Sequence, residues 1–335
     1  MKFKRMGRTG LQVSEVCLGT MTFGYQSDEK ESFKILDTAW DGGINFIDTA
    51  DVYPLPVDQN TVGSTEKIIG NWLKSNPGRR HEIVLATKCN GKMGNSPNDQ
   101  GLSRRHIMDA IDASLKRLQT DSIDLYQVHF FDPNTPLDET LRSLDDIVRS
   151  GKVRYIGCSN YQAYQLSKAL WTSDKLGIER YNCIQPRYNL LFREFEKELF
   201  PLCKEEGVGI IVYNPLAGGF LTGKYEKKKK EPGRFSLPVA GEMYSERYWQ
   251  DAQFEVVEKM KEFFAKLNKP MAQVAIAWVL NQSAVTSAIV GASKHTQLAE
   301  SLKYENIILE QNELDFLDSL WYEIPKVKDP KYALR

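Results

Sequence analysis

Cysteine is scarce in this chain, and what there is lies scattered. The five cysteines among 335 residues (Cys17, Cys89, Cys158, Cys183 and Cys203) form no CxxC pair and no Cys/His cluster, so no zinc site is expected. Cys17, Cys158 and Cys183 stand in apolar strand-like runs, where cysteine serves as a small hydrophobe. The pattern fits a reducing compartment. Long apolar runs are missing as well. No stretch approaches the roughly eighteen uninterrupted apolar residues of a transmembrane helix, and MKFKRMGRTG lacks the apolar centre of a signal peptide. The expected location is the cytoplasm. Nor is there an excess of charge of either sign: 44 Lys and Arg balance 44 Asp and Glu. Nothing at that level points to nucleic acid or an anionic membrane, although a small anionic ligand stays compatible with a neutral sum. Glycine-rich phosphate loops are absent too, with neither GxGxxG nor a Walker A sequence.

Hydrophobic residues make up 41% of the chain, enough for a sizeable core. Eight β-rich runs recur along it: 13–19, 44–50, 82–88, 122–129, 153–160, 182–189, 208–214 and 286–292. Helical spacing fills the intervals. Ile107, Ile111, Leu115 and Leu118 repeat at three and four residues, as do Leu137, Leu141, Leu144 and Val148, with Gly151 placed as a helix stop. Similar patterns cover 64–75, 162–170, 194–205, 252–266, 271–281 and 295–302. Alternating strands and helices imply parallel strands with crossover helices, and eight units fit a (β/α)8 TIM barrel. An open doubly wound sheet would carry the missing Gly-rich loop after its first strand.

Three segments break the rhythm. Residues 1–13 are expected to form an N-terminal β-hairpin, 216–250 a long loop insertion after the seventh strand, and 311–322 an extra C-terminal helix. Composition does not shift anywhere, so residues 1–335 are expected to be one barrel domain. The run Lys227–Lys230 reads as a solvated loop tip.

The ends of the strand-like runs are polar. INFID ends on Asp48, EIVLATK on Lys88 and LYQVH on His129, while Tyr53 follows Asp48 by five residues. In a parallel barrel these ends open on one face, where barrel enzymes keep their catalytic groups. A buried Asp48 needs a partner, and Lys88 supplies one. An ammonium beside a phenol favours the phenolate, which would suit Tyr53 as a general acid where a carbonyl oxygen gains charge. His129 would orient that carbonyl or join the proton relay. Each residue also has an ordinary structural explanation: an ion pair, a hydrogen-bonded histidine, a loop aromatic. The set of four at neighbouring strand ends favours chemistry.

The segments INFIDTADVY, LATK, YQVH, GCSN, QPRYN, NPLAGGFLTGKY and GASKHTQLAES resemble the signature segments of aldo-keto reductases, in order and over nearly the whole chain. The likeness is to bacterial members related to potassium-channel β subunits. It implies a barrel that binds NADPH (NADP+) without a Rossmann loop, NADH being possible, and a small-molecule carbonyl substrate. The implied catalytic tetrad is Asp48, Tyr53, Lys88 and His129. Ser159, Asn160 and Gln185 match residues that hold the nicotinamide carboxamide, and Tyr213 matches the aromatic stacked on its ring. Thr20 and Met21 belong with them. Asn214, Pro215, Leu216, Gly218, Gly219 and Lys224 match the loop across the pyrophosphate. Gly291, Ser293, Lys294, Gln297, Glu300 and Ser301 match the grip on the adenosine end.

Two departures from the family pattern stand out. No Arg lies in 291–301 to clamp a 2′-phosphate, leaving Lys294 as the substitute cation, and the segment after Tyr53 is long. Met21, Phe23, Tyr25, Phe130 and Phe131 are expected to line an apolar substrate mouth. Two rival functions exist: an aldolase with Lys88 as Schiff-base nucleophile, and a nucleotide-binding redox sensor or regulatory subunit with little turnover. Family members range from monomers to larger assemblies, and the sequence singles out no oligomeric state.

Overall fold

A computed structural model describes residues 1–227 and 233–326. The chain starts with an antiparallel hairpin, β1 (Phe3–Arg5) and β2 (Gln12–Ser14). Then follow β3 (Val16–Gly19), α1 (Glu29–Asp41), β4 (Phe46–Asp48), α2 (Ser64–Ser75), β5 (Val84–Cys89), α3 (Arg104–Leu118), β6 (Ile123–Val128) and α4 (Leu137–Arg149). β7 (Val153–Ser159), α5 (Ala163–Leu176), β8 (Cys183–Gln185), α6 (Leu199–Glu206) and β9 (Gly209–Tyr213) come next. The remainder holds α7 (Ala240–Tyr248), α8 (Asp251–Ala265), α9 (Met271–Asn281), β10 (Ser287–Gly291), α10 (His295–Leu302) and α11 (Gln311–Glu323).

β3 to β10 pair in parallel, in chain order, and β10 closes on β3. This is a (β/α)8 TIM barrel with an N-terminal hairpin, a long insertion after its seventh strand and an extra C-terminal helix. Strand and helix alternate because the apolar period alternates between about two and about 3.6 residues. The helical stop after α4 is as expected: Gly151 takes φ +78°, a conformation a β-carbon would oppose.

Contacts sort the chain into two compact units. The first comprises 1–186, 195–213 and 283–299, and contains the hairpin and all eight barrel strands. Among the described residues, the second comprises 187–194, 214–227, 233–282 and 300–326. The two interleave along the chain, so neither is a contiguous stretch. In the first unit, α1 to α6 pack each on the next in sequence. In the second, Phe220, Phe235, Trp249 and Phe254 pack ring against ring, at centroid separations of 4.8–6.0 Å. There too α11 sends Glu313 to Lys269 (2.6 Å) and buries Leu317 and Leu320.

Two helices went unforeseen, and two were misjudged. α1 has a plain signature: Asp28 accepts from the Glu31 amide as its N-cap, and Ser32, Ile35, Leu36 and Ala39 make the buried stripe. α7 lies inside the segment expected to be a long loop. The expected helix at 194–205 is a 3-10 turn followed by α6, because Pro201 lacks an N–H and is tolerated only in a first turn. α5 runs on to Leu176, where Gly177 ends it. Of the lysine run, Lys227 pairs with Asp251 at 2.8 Å, while Lys228–Lys230 lie outside the described residues. Among the described residues no helix is long and apolar enough to cross a membrane.

Candidate active site

The barrel interior is built in tiers. Cys17, Phe46, Ala86, Leu125, Cys183, Ile211 and Ile289 form a buried apolar cluster with Met6 and Val13 of the hairpin. Two residues further along each strand, the pleat returns the chain to the inward face. There stand Gly19, Asp48, Lys88, Gln127, Gln185, Tyr213 and Gly291. The apolar tier thus supports a polar tier nearer the C-terminal ends of the strands.

Asp48 is the centre of that polar tier. Its Oδ2 lies 2.6 Å from Lys88 Nζ, and both side chains are almost wholly buried. Its Oδ1 accepts from Gln185 Nε2 at 2.9 Å and Gln127 Nε2 at 3.1 Å. Lys88 also donates to the Thr49 carbonyl at 2.8 Å. Burial by itself would lower the Lys88 pKa, but the Asp48 charge, with help from Tyr53, outweighs it and the net direction is upward. Lys88 is therefore a fixed cation. It is badly suited to act as a Schiff-base nucleophile, which needs a neutral amine.

Tyr53 and His129 stand over this pair. The Lys88 ammonium lies 5.0 Å from the centroid of the Tyr53 ring. His129 meets that ring edge-on, with centroids 5.8 Å apart at 78°. Its backbone is held from both sides: its N–H donates to the Cys89 carbonyl (2.8 Å) and its carbonyl accepts from Asn160 Nδ2 (3.0 Å). The structure thus gathers Asp48, Tyr53, Lys88 and His129 at one place in the first unit.

The neighbouring candidates form a second chain of bonds. Tyr213 Oη donates to Asn160 Oδ1 (2.8 Å), Asn160 Nδ2 to Ser159 Oγ (2.9 Å), and Ser159 Oγ to the Gln185 carbonyl (2.8 Å). Thr20 is fully buried, its hydroxyl on the Asp48 carbonyl at 2.9 Å. Met21 packs against the Ala50, Val52 and Tyr53 cluster. Of the five residues expected at the mouth, Tyr25 and Phe130 are well exposed and Phe131 is half-buried. Phe23 has no exposure, because the turn through 20–27 folds it inward and Thr65 bonds its carbonyl.

The remaining candidates make contacts of their own. Ser293 donates its amide and hydroxyl to Gln297 Oε1 (3.0 and 3.1 Å), while Gly291 and Lys294 are exposed. At the start of α10 the Glu31 carboxylate takes the His295 amide and faces its ring nitrogen, both at 2.8 Å. These contacts hold the Glu31 carboxyl below its ordinary pKa. In the second unit, Asn214 Oδ1 accepts from the Gly218 amide at 2.5 Å. Gly218 and Gly219 there take φ of +70° and +90°, which turns the backbone back on itself. Pro215 and Leu216 lie between, and Lys224 sits 4.9 Å from the Tyr225 ring centroid. Glu300 pairs with Lys303 at 2.5 Å, and Ser301 is buried.

Sequence reasoning missed two polar residues. Gln127 is wholly buried and bonded to Asp48; its signal was an amide in phase with the apolar Ile123 and Leu125. Asp51 is also wholly buried, and neither carboxylate oxygen has a hydrogen-bond partner. Burial, then the Glu66 charge, pushes its pKa well up. Arg117 and the Val52 amide pull the other way and lose. All five cysteines are free and buried. Among the described residues no cluster of His, Cys, Asp and Glu is placed to hold a metal.

Comparison with known proteins identifies the family. The pattern of the Aldo/keto reductase family matches residues 15–322. The chain belongs to the aldo/keto reductase family. It is 39% identical to the uncharacterized oxidoreductase YrpG of Bacillus subtilis over 325 residues, 96% of each chain. It is 36% identical to a probable voltage-gated potassium channel subunit beta of Arabidopsis thaliana, over 92% of each. It is also 36% identical to protein Tas of Escherichia coli, over 96% of this chain and 97% of that one. As an aldo/keto reductase the protein is an oxidoreductase that works with a nicotinamide cofactor.

Proposed function

We propose that this aldo/keto reductase is an NADPH-dependent carbonyl reductase that reversibly converts aldehydes and ketones to alcohols, with Tyr53 as general acid. One observation carries the reading: a buried, hydrogen-bonded Lys88–Asp48 ion pair set against the Tyr53 ring. A phenol with its ordinary pKa of about 10 gives up a proton reluctantly near neutral pH. The fixed ammonium stabilises the phenolate left behind, so Tyr53 can protonate a carbonyl oxygen as negative charge builds there. Asp48 keeps Lys88 charged and aimed. His129, edge-on to Tyr53, orients the carbonyl.

The cofactor, when bound, supplies the hydride that goes to the carbonyl carbon. The residues present suit it. Tyr213 offers a half-buried aromatic face, and Ser159, Asn160 and Gln185 offer amide and hydroxyl groups for a carboxamide. Thr20 and Met21 back that end. Asn214, Pro215, Leu216, Gly218, Gly219 and Lys224 are assigned to the pyrophosphate, and Gly291, Ser293, Lys294, Gln297, Glu300 and Ser301 to the adenosine. Lys294 is the cation for a 2′-phosphate, and Glu31 at the start of α10 opposes it, which leaves NADH usable. Met21, Tyr25, Phe130 and Phe131 favour substrates with aromatic or other apolar bodies. A regulatory reading, a nucleotide-binding sensor with little turnover, draws on the likeness to the Arabidopsis channel subunit.

Following NADPH and NADH oxidation against a panel of aldehydes and ketones tests this, with Tyr53→Phe alongside. The proposal expects turnover that collapses in the variant and is faster with NADPH. Tight cofactor binding without turnover on any carbonyl would favour the sensor, and no cofactor binding would overturn both.

A further inference from the structure

The hydrogen bonds around Asp48 say more about Gln127 and Gln185 than that they are polar and buried. An ionised carboxylate only accepts. Any amide that faces it at hydrogen-bond distance must therefore present its NH2 group. Both Gln185 Nε2 (2.9 Å) and Gln127 Nε2 (3.1 Å) face Asp48 Oδ1. With its NH2 group so directed, Gln127 turns its carbonyl Oε1 to Gln185, which donates to it at 3.2 Å. Both N–H groups of Gln185 are thus used inside the barrel, one on Asp48 and one on Gln127. Its own carbonyl Oε1 makes no hydrogen bond among the described residues, although the residue is only 3% exposed.

Gln127 reaches Gln185 across an intervening strand. It stands on β6 and Gln185 on β8; between them on β7 is Gly157, in register with both Gln127 and Cys183. A β-carbon at Gly157 would come within 2.5 Å of Cys183 Sγ and 3.4 Å of Gln127 Cγ. The missing side chain is what gives the two amides room to meet.

We propose that Gln127 is a positioning residue for cofactor recognition: by holding the Gln185 amide in one orientation, it makes Gln185 present a carbonyl acceptor, selecting a ligand that carries an N–H donor such as the nicotinamide carboxamide. The inference rests on the cofactor reading above, and Gln127 acts only through Gln185 and Asp48. Without Gln127 the Gln185 amide loses the acceptor that fixes it and is free to turn over. Asp48 also loses the hydrogen bond from Gln127.

The test is equilibrium binding, read by quenching of protein fluorescence, of NADP+ against its 3-acetylpyridine analogue, which has a methyl ketone in place of the carboxamide and no N–H to donate. Wild-type protein should prefer NADP+ by roughly fivefold, the worth of one hydrogen bond. In Gln127→Met, close to Gln in size, the preference should collapse toward unity. Gln127→Glu keeps an acceptor for Gln185 and should keep the preference. Equal binding of the two ligands by the wild-type protein would overturn the proposal even if neither variant folded. An undiminished preference in Gln127→Met would overturn it too, and both results would leave the carbonyl reductase reading standing. Failure to bind either ligand would sink the cofactor reading itself.

Discussion

Asp48 and Asp51 are three residues apart on one short stretch of chain, both all but inaccessible to water, and they have opposite surroundings. Asp48 receives an ammonium and two amide donors. Asp51 has no well-formed hydrogen bond on either oxygen, only the weak help of the nearby Val52 amide and Arg117, and has the Glu66 carboxylate for company. Glu66 itself is spoken for, by Arg117 Nε and Thr87 Oγ1, each at 2.6 Å. Burial alone therefore does not say what a carboxyl will do. Donors make Asp48 an anchor for a buried charge, whereas their lack makes Asp51 an acid that keeps its proton.

The harshest way to break the contrast is to strip Asp48 of its cation. Lys88→Met should cost about 3–5 kcal/mol in a urea melt, because a carboxylate is left buried without its counter-charge. Adding Asp48→Leu should recover much of that loss without restoring activity; no recovery would mean that the pair does not act as a unit. Tyr53→Phe removes a proton and no structural partner of Asp48, so turnover should fall by about 10²–10⁴-fold with stability little changed. A drop in stability to match would recast Tyr53 as packing.

Asp51→Asn sharpens the other half. The unfolded carboxyl ionises near 3.9, while the folded one holds its proton to well above that. Between those two values the native state binds the extra proton, so this group's contribution to stability declines as pH rises. Asn cannot ionise, so the variant should gain on wild type as pH climbs from 4 toward neutrality. A constant difference across that window would show that Asp51 ionises normally. The smallest effect belongs to Glu31→Gln. It should shift the balance of NADPH over NADH upward within a factor of about three, and less at high salt; a downward shift would place the 2′-phosphate away from α10.

Much of this was legible because a barrel strand repeats every two residues. Ile47 and Phe46 announce a buried strand, and the phase that puts Phe46 inward also puts Asp48 inward. Lys88 follows Ala86 in the same way. Gln127 follows Leu125 by the identical rule, but it lies inside its run, two residues before the polar end at His129. Asp51 was beyond the pattern, since what matters about it is a shortage of donors from α2, α3 and the strands beside it, and such a shortage leaves no trace in local sequence. Phe23 was misplaced for a related reason: an aromatic in a turn reads as exposed until the turn's own hydrogen bonds are known. α1 needed only its Asp28 cap and apolar stripe, while α7 sits in a stretch without a clear helical period.

The central claim is that the Asp48–Lys88 pair tunes Tyr53 as the proton donor, and it is tested most directly by the pH dependence of carbonyl reduction in wild type against Lys88→Met. Loss of the ammonium should lower the plateau by about a hundredfold or more and move the alkaline limb to higher pH, because a phenol without a neighbouring cation holds its proton longer. An alkaline limb at the same pH in both proteins would contradict the account, whatever happened to the plateau.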